Sequence, residues 1–429
     1  MVALLKTLQV ILALSLLIFI HELGHFAWAK LFKIRVEKFY LFFDIGGKAL
    51  WRHKKGETEF GIGWLPLGGY CKISGMIDES MDLEQMKQDP QPWEFRTHPA
   101  WQRLLVMAGG VLNNFIFAIL AYILIMNVWG SAFIPNEGNS IWVNDVAYEM
   151  GFRNGDRILA FDDYVPTDFG MLQADLARKD VQYAKVLRGT DTLDLYIDHS
   201  MIGKVLNSPL MFDLAVPFVV DSSYGGNANL THGDKVVAID GNPLQFVQEA
   251  HGMLDTLRGQ VAVAGIIRGA DTLALPVQVD TAGRIGVQLE MPDIERMEYS
   301  FLKAIPAGWK LAWSTVGGYL SDLKLLVQPK TEAYKSVGSF IAIGQVFPSA
   351  WDWYQFLQIL ALLSIMLAVM NLIPIPGLDG GHILFTLWEM LTGHKPSDKF
   401  LAVMQVIGLA LIMMLMVLAF GNDIGRLIH

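Results

Sequence analysis

Leu16-Leu17-Ile18-Phe19-Ile20-His21-Glu22-Leu23-Gly24-His25-Phe26-Ala27-Trp28 sets two histidines and a glutamate inside an apolar run that covers 4–29. Residues four apart share one face of a helix, so both imidazoles reach a single Zn²⁺, with Glu22 beside the water to be activated. Ionisable groups in a membrane-length helix cost about 2.5–3.5 kcal/mol each on insertion scales. Three together need a compensating role, and a metal centre supplies one.

Hydrophobic residues make up 53% of the chain and charged ones 17%, the latter below the roughly 25% of soluble domains. Further stretches of spanning length cover 102–129, 352–373 and 398–420, so the expected architecture is a polytopic α-helical membrane protein with four transmembrane helices. The first run follows Lys6 but leads into His21-Glu22 rather than a small-residue cleavage site, so it is read as retained. A fifth stretch, 301–327, is broken by Lys303, Pro306, Lys310, Asp322 and Lys324, and Trp309, Trp313 and Tyr319 suit it to the membrane interface. Twelve basic residues lie from Lys30 to Arg103, between the first two spans, and Lys395 and Lys399 lie between the last two. These loops are expected on the cytoplasmic side. Both termini and the 130–300 region then face the periplasm of a Gram-negative inner membrane. The net charge of −9 argues against a nucleic-acid partner. The single cysteine, Cys71, excludes an intrachain disulfide and reads as a small apolar filler.

The outer region repeats itself. Asn154-Gly155-Asp156-Arg157-Ile158 recurs as His232-Gly233-Asp234-Lys235-Val236, and Arg188-Gly189-Thr190-Asp191-Thr192-Leu193 as Arg268-Gly269-Ala270-Asp271-Thr272-Leu273, each about 80 residues on. A Gly-Asp pair followed by alternating apolar residues is a turn into a strand. The pattern resembles PDZ domains of bacterial envelope proteases, which implies two tandem β-rich α+β domains. They either bind extended peptides at a sheet edge or act only as size filters.

A third metal ligand is needed. Glu37 lies in a basic stretch, and His53 and His98 sit among loop charges. The third span ends in Asn371-Leu372-Ile373-Pro374-Ile375-Pro376-Gly377-Leu378-Asp379-Gly380-Gly381-His382. A carboxylate at membrane depth in a Pro/Gly-broken helix belongs around a polar cavity. His21, His25 and Asp379 give three ligands and leave a fourth position open, as a catalytic zinc requires. The competing readings are Asp379 as a helix cap and His382 as the ligand.

With H-E-L-G-H in the first run, N-L-I-P-I-P-G-L-D-G-G at 371–381 and PDZ-like repeats between them, the chain is similar to the site-2 protease family of intramembrane zinc metalloproteases. The likeness covers essentially the whole chain. It implies that Gly61 to Gly75 form a membrane-re-entrant β-hairpin loop, with Gly68, Gly69 and Tyr70 as substrate contacts. The family's G-x-x-x-N element is matched by Gly109-Gly110-Val111-Leu112-Asn113, with Gly110 where many members have proline. Ser339 likewise replaces a usual proline. Neither change is expected to touch a ligand. The resemblance further implies Glu22 as general base and acid. It makes Asn371 and Asn113 contacts to substrate backbone or oxyanion, with interhelical glue as the alternative for both.

Laid along the chain, this gives the first transmembrane helix (1–33), a cytoplasmic and re-entrant β-loop region (34–98) and the second transmembrane helix (99–130). The two PDZ domains (131–205 and 206–298) and an interfacial amphipathic region (299–350) follow. The third transmembrane segment (351–394) and the fourth with a C-terminal tail (395–429) complete it. The implied function is regulated intramembrane proteolysis of pre-trimmed single-span substrates: an anti-sigma factor and signal-peptide remnants. The alternative is a PDZ-bearing scaffold or transporter with a structural metal. A diiron membrane hydroxylase would need several histidine boxes, and one is present.

Overall fold

The computed structural model describes residues 2–76, 88–328 and 333–428, so Lys87 and parts of the 34–98 and 299–350 regions lie outside the described residues. Two compact units emerge: Met1–Gly130 with Glu298–Leu323 and Tyr334–His429, and Ser131–Met297 with Lys324–Ala333.

The first unit contains helices α1 (Val2–Leu31), α2 (Ala100–Val128), α3 (Phe301–Leu326), α4 (Phe340–Val346), α5 (Trp353–Leu372), α6 (Asp379–Thr392) and α7 (Asp398–Ile428). Among the described residues four helical segments are long and apolar enough to span a bilayer: α1, α2, α5 and Lys399–Gly425 of α7. They follow the four hydrophobic runs to within a few residues. Helix α2 is the hub, packed against α1, α5 and α6. Its approach to α1 is made backbone to backbone. A methyl group at Gly109 would lie 2.6 Å from Trp28 Cδ1 and 2.7 Å from the Gly24 carbonyl oxygen, and one at Gly24 would strike the Gly109 carbonyl. Small residues at such a crossing let dispersion hold helices that lipid cannot drive together. Helix α3, which is not among these four, lays Gly308 and Ala312 against α2, while Trp309 and Trp313 stay about half exposed.

Between α1 and α2 lies a four-stranded sheet of β1 (Val36–Phe43), β2 (Ala49–Lys55), β3 (Thr58–Gly63) and β4 (Leu65–Ile73), in the order β2-β3-β1-β4. The expected hairpin over 61–75 is not what forms. Strands β3 and β4 flank β1 on opposite sides, β3 parallel to it and β4 antiparallel. The chain passes around the end of β1, where a side chain at Gly63 would collide with the Phe42 and Phe43 carbonyls. The hairpin proper is β2–β3, turning at Gly56 (φ +61°). Strand β4 is left as an edge.

Ser339 also finds its reason here. Its N–H and hydroxyl both donate to the buried Asp423 Oδ2 of α7, at 2.8 and 2.5 Å. Proline would lose both bonds.

In the second unit each repeat runs strand, helix, strand, strand. The strands are Arg157–Phe161, Tyr183–Arg188 and Asp191–Tyr196 in one, and Lys235–Ile239, Val261–Arg268 and Asp271–Gln278 in the other. The recurring motifs meet in space. Asp156 takes two 2.8 Å bonds from the Arg188 guanidinium, and Asp234 takes two 2.7 Å bonds from Arg268. Both carboxylates are wholly buried and also accept a backbone N–H from the turn before them, Arg153 and Thr231 respectively. The Gly-Asp and Arg-Gly signatures are thus two halves of one bidentate lock, made twice. The first core continues through Met211, Phe212 and Leu214, and strand Phe212–Leu214 pairs with Ile141–Val143. The first lobe therefore runs past residue 205, where the repeat alone gave no signal.

The Arg268 guanidinium beside Asp234 holds its carboxyl below the usual carboxylate range. A depressed folded-state value adds stability above the unfolded value near about pH 4 that is lost as pH falls below it. We expect amide protection of strand Lys235–Ile239 in the detergent-solubilised protein to be flat at neutral pH and to fall below about pH 4. Asp234→Asn should lower protection at pH 7 and flatten that acid slope.

Candidate metal centre and cavity

Helix α1 supplies His21, Glu22 and His25. The third ligand candidate comes from the break after α5, where Pro374 and Pro376 end the helix and Gly377 (φ +94°) turns the chain into α6. The N-cap of α6 is Leu378, which supplies no side-chain bond, and the Asp379 carboxylate turns to the imidazoles instead. Asp379 Oδ2 lies 3.1 Å from His21 Nε2 and 3.4 Å from His25 Nε2, and the two nitrogens are 3.3 Å apart. One ligand atom from each residue falls within 4.8 Å of the others. Asp379 Oδ2 is buried and has no hydrogen-bond partner. Two imidazole nitrogens and an orphaned carboxylate oxygen, converging in a buried site, fit a cation with one position left open. His382 lines the same space but is outside this group.

The imidazoles are themselves positioned. His25 Nδ1 lies 2.8 Å from the Val106 carbonyl, so it donates there and turns the Nε2 lone pair inward. Asn114, fully buried on α2, has its amide 3.2 Å from His21 Nδ1 and an Oδ1 without a partner. With Oδ1 accepting from Nδ1–H, the orphan is satisfied and His21 Nε2 is left unprotonated. Asn113, the residue chosen from the sequence, instead donates to the Ile20 carbonyl and does not line the cavity. Gly110 corrects a second expectation. A methyl group there would sit 2.5 Å from His25 Nε2 and 2.6 Å from His21 Cε1, so this position bears directly on both rings. The available signal was periodicity: Gly110 and Asn114 are four apart, on one helix face.

A cavity of about 410 Å³ opens beside this group. Glu22, Asn371, Gly69, Tyr70 and Cys71 are among its lining, and Gly68 is not, packing instead against the Phe43 ring. Asn371 Nδ2 is 3.3 Å from His21 Nε2. The backbone of Cys71 hydrogen-bonds to Glu22. Burial raises the Tyr70 hydroxyl above its usual value, and its bond to Asp44 adds to this. Burial opposes the Asp44 carboxylate, but the Tyr70 hydroxyl and Lys38 ammonium, at 2.7 and 2.9 Å, hold it ionised below the ordinary range. Three carboxylates line the cavity: Asp44, held by Lys38 and Tyr70; Asp379, whose Oδ2 faces the two imidazoles; and Glu22.

Helix α6 is fixed at its other end by Glu389, which accepts from the buried Arg103 of α2 at 2.5 Å. At the break, a side chain on Gly408 of α7 would overlap the Pro376 carbonyl. Asp379 is thus braced on both sides.

The chain matches the model of peptidase family M50 over residues 9–415. It is 30% identical over 450 residues to the regulator of sigma-E protease RseP of Escherichia coli, covering 97% of this chain and 98% of that protein. The RseP of Salmonella typhimurium is similar at 30% over 449 residues, with 97% and 98% covered. A Neisseria meningitidis protein described as a candidate zinc metalloprotease is 29% identical over 454 residues, 98% of this chain and 99% of its own length.

Loss of a partner that orients a metal-bound histidine typically costs 10–100-fold in metal affinity. Asn114→Leu should therefore weaken zinc binding by roughly that factor in a competition titration. Gly110→Val should abolish binding, and Asn113→Ala should leave it unchanged.

Proposed function

The chain belongs to peptidase family M50 and is an intramembrane zinc metalloprotease of the site-2 type, and we propose that it cuts single-span membrane proteins already trimmed outside the bilayer. The zinc ligands in this reading are His21, His25 and Asp379. The observation that carries it is the convergence of three ligand atoms within 4.8 Å among bilayer-length helices. Bound zinc supplies Lewis acidity toward a water and the scissile carbonyl. Glu22 takes the proton of the attacking water and returns it to the leaving amine. The Asn371 amide, beside His21, donates to the oxygen on which negative charge develops. The apolar walls keep bulk water away from both transfers.

A transmembrane helix has its backbone bonds satisfied internally and must open before it is cut. Among the described residues strand β4 is an outer strand of its sheet, and its Gly69, Tyr70 and Cys71 line the same cavity as Glu22. An opened substrate segment adds to that edge as a further strand. The basic residues between the first two spans support a reading in which the sheet region faces the cytoplasm and both termini and the repeated lobes face the periplasm. The lobes, as PDZ domains, act outside the bilayer as the filter against untrimmed proteins or as binders of exposed C-termini. Since RseP relatives are named as regulators of sigma-E, an anti-sigma factor is the substrate class we assign, with signal-peptide remnants as a second.

The test is cleavage of a model single-span substrate by purified protein. Glu22→Gln should retain zinc and fold but lose cleavage by about a thousandfold, the middle of the range for a proton-transfer residue. Asp379→Ala should lose both zinc and cleavage. If Glu22→Gln left function intact, the metal would be structural and the scaffold reading would stand instead.

A further inference from the structure

Helix α7 carries a glutamine, Gln405, that the chemistry above leaves unused. It is 6% exposed and lies in a bilayer-length apolar segment, yet its side chain lines the same cavity as Glu22 and Asp379. Among the described residues its amide makes no hydrogen bond. Asn371 is the other amide that lines the cavity, and it sits beside the His21 ring. The residue is thus buried among helices while it lines the cavity, where a bound group can meet its amide. The position is not accidental slack either. Gly408, one turn further on the same face, touches the Pro376–Gly377 backbone, so α7 is held against the loop that delivers Asp379.

A glutamine amide offers one acceptor and two donors, the complement of a peptide unit. A substrate strand added to the edge of β4 pairs along one side only. Its other side then exposes N–H and C=O groups within the cavity. Asn371, Gly377 and Leu378 of the broken segment and Gln405 of α7 line the same cavity as β4.

We propose that Gln405 is a substrate-binding residue that hydrogen-bonds the backbone of the opened transmembrane segment, opposite β4, and so holds it extended whatever its side chains. The inference rests on the protease reading with strand addition at β4.

The experiment uses synthetic single-span substrates in which one peptide bond at a time near the cleavage site is replaced by an ester, removing a single backbone donor. Full-length protein in detergent is compared with Gln405→Met, which keeps length and volume, and Gln405→Asn, which keeps the amide on a shorter stem. Zinc content and melting temperature are measured for each. Gln405→Met is expected to lower kcat/KM about tenfold, chiefly through KM. For the wild type, one ester position should cost several-fold, and that cost should vanish in Gln405→Met. Gln405→Asn should recover part of the loss, and it carries the comparison if the methionine variant does not fold. Equal cleavage by wild type and Gln405→Met would overturn the proposal. So would a loss in Gln405→Met that leaves every ester cost unchanged. Wild type that cleaves no substrate would overturn the protease reading itself, a distinct outcome.

Discussion

How closely α1 and α2 approach at Gly24, Gly109 and Gly110 governs the rest of the membrane unit. A metal centre built from two helices needs its imidazoles between backbones. Any side chain at Gly110 would fill the space that the rings occupy. Once the helices touch, Val106 and Asn114 of α2 come within hydrogen-bond distance of the ring nitrogens that face away from Asp379. The same packing contact therefore excludes lipid, sets the tautomers and aims the lone pairs. Both imidazoles, costly in hydrocarbon on their own, are thereby given polar neighbours, which is how a bilayer tolerates them.

Asp379 arrives by a different device. A broken helix exposes backbone carbonyls, and such backbone survives at membrane depth only when protein covers it. Gly408 lets α7 lie directly on Pro376, and the Arg103–Glu389 pair ties the far end of α6 to α2. The carboxylate is thus held by a braced loop and an anchored helix, not by its own rotamer alone. That rigidity is what a preorganised centre requires. The sheet completes the enclosure: the Lys38–Asp44–Tyr70 group fixes its charges, and the outer strand β4 lines the same cavity as Glu22.

Much of this was legible in the amino-acid sequence because its signals are periodic or covalent. Four apolar runs gave the spanning helices. The i,i+4 histidines and the Pro-x-Pro-Gly-x-Asp stretch pointed to the three residues that the structure brings within 4.8 Å, and an offset of about 80 residues pointed to the two similar strand–helix–strand–strand lobes. What stayed hidden depends on contacts between distant elements. Gly110 looked like a neutral departure from a family pattern because no pattern within one helix says what faces it. Asn113 and Asn114 are adjacent and chemically identical, so only the angle at which α2 meets α1 decides which reaches His21. The wrap of β3 and β4 around β1 was missed for a related reason. Local turn residues at 61–69 suit a hairpin, and tertiary pairing with β1 overrides them. The Asp–Arg locks of the lobes joined two motifs that had been seen separately, about 32 residues apart in the first lobe.

The account turns on His21, His25 and Asp379 sharing one cation inside the bilayer. X-ray absorption at the zinc edge of the purified full-length protein tests this most directly. It should give one zinc per chain with two imidazole nitrogens and light oxygen donors at about 2.0–2.2 Å, and Asp379→Asn should alter that shell. A zinc environment lacking histidine, or one indifferent to residue 379, would contradict it.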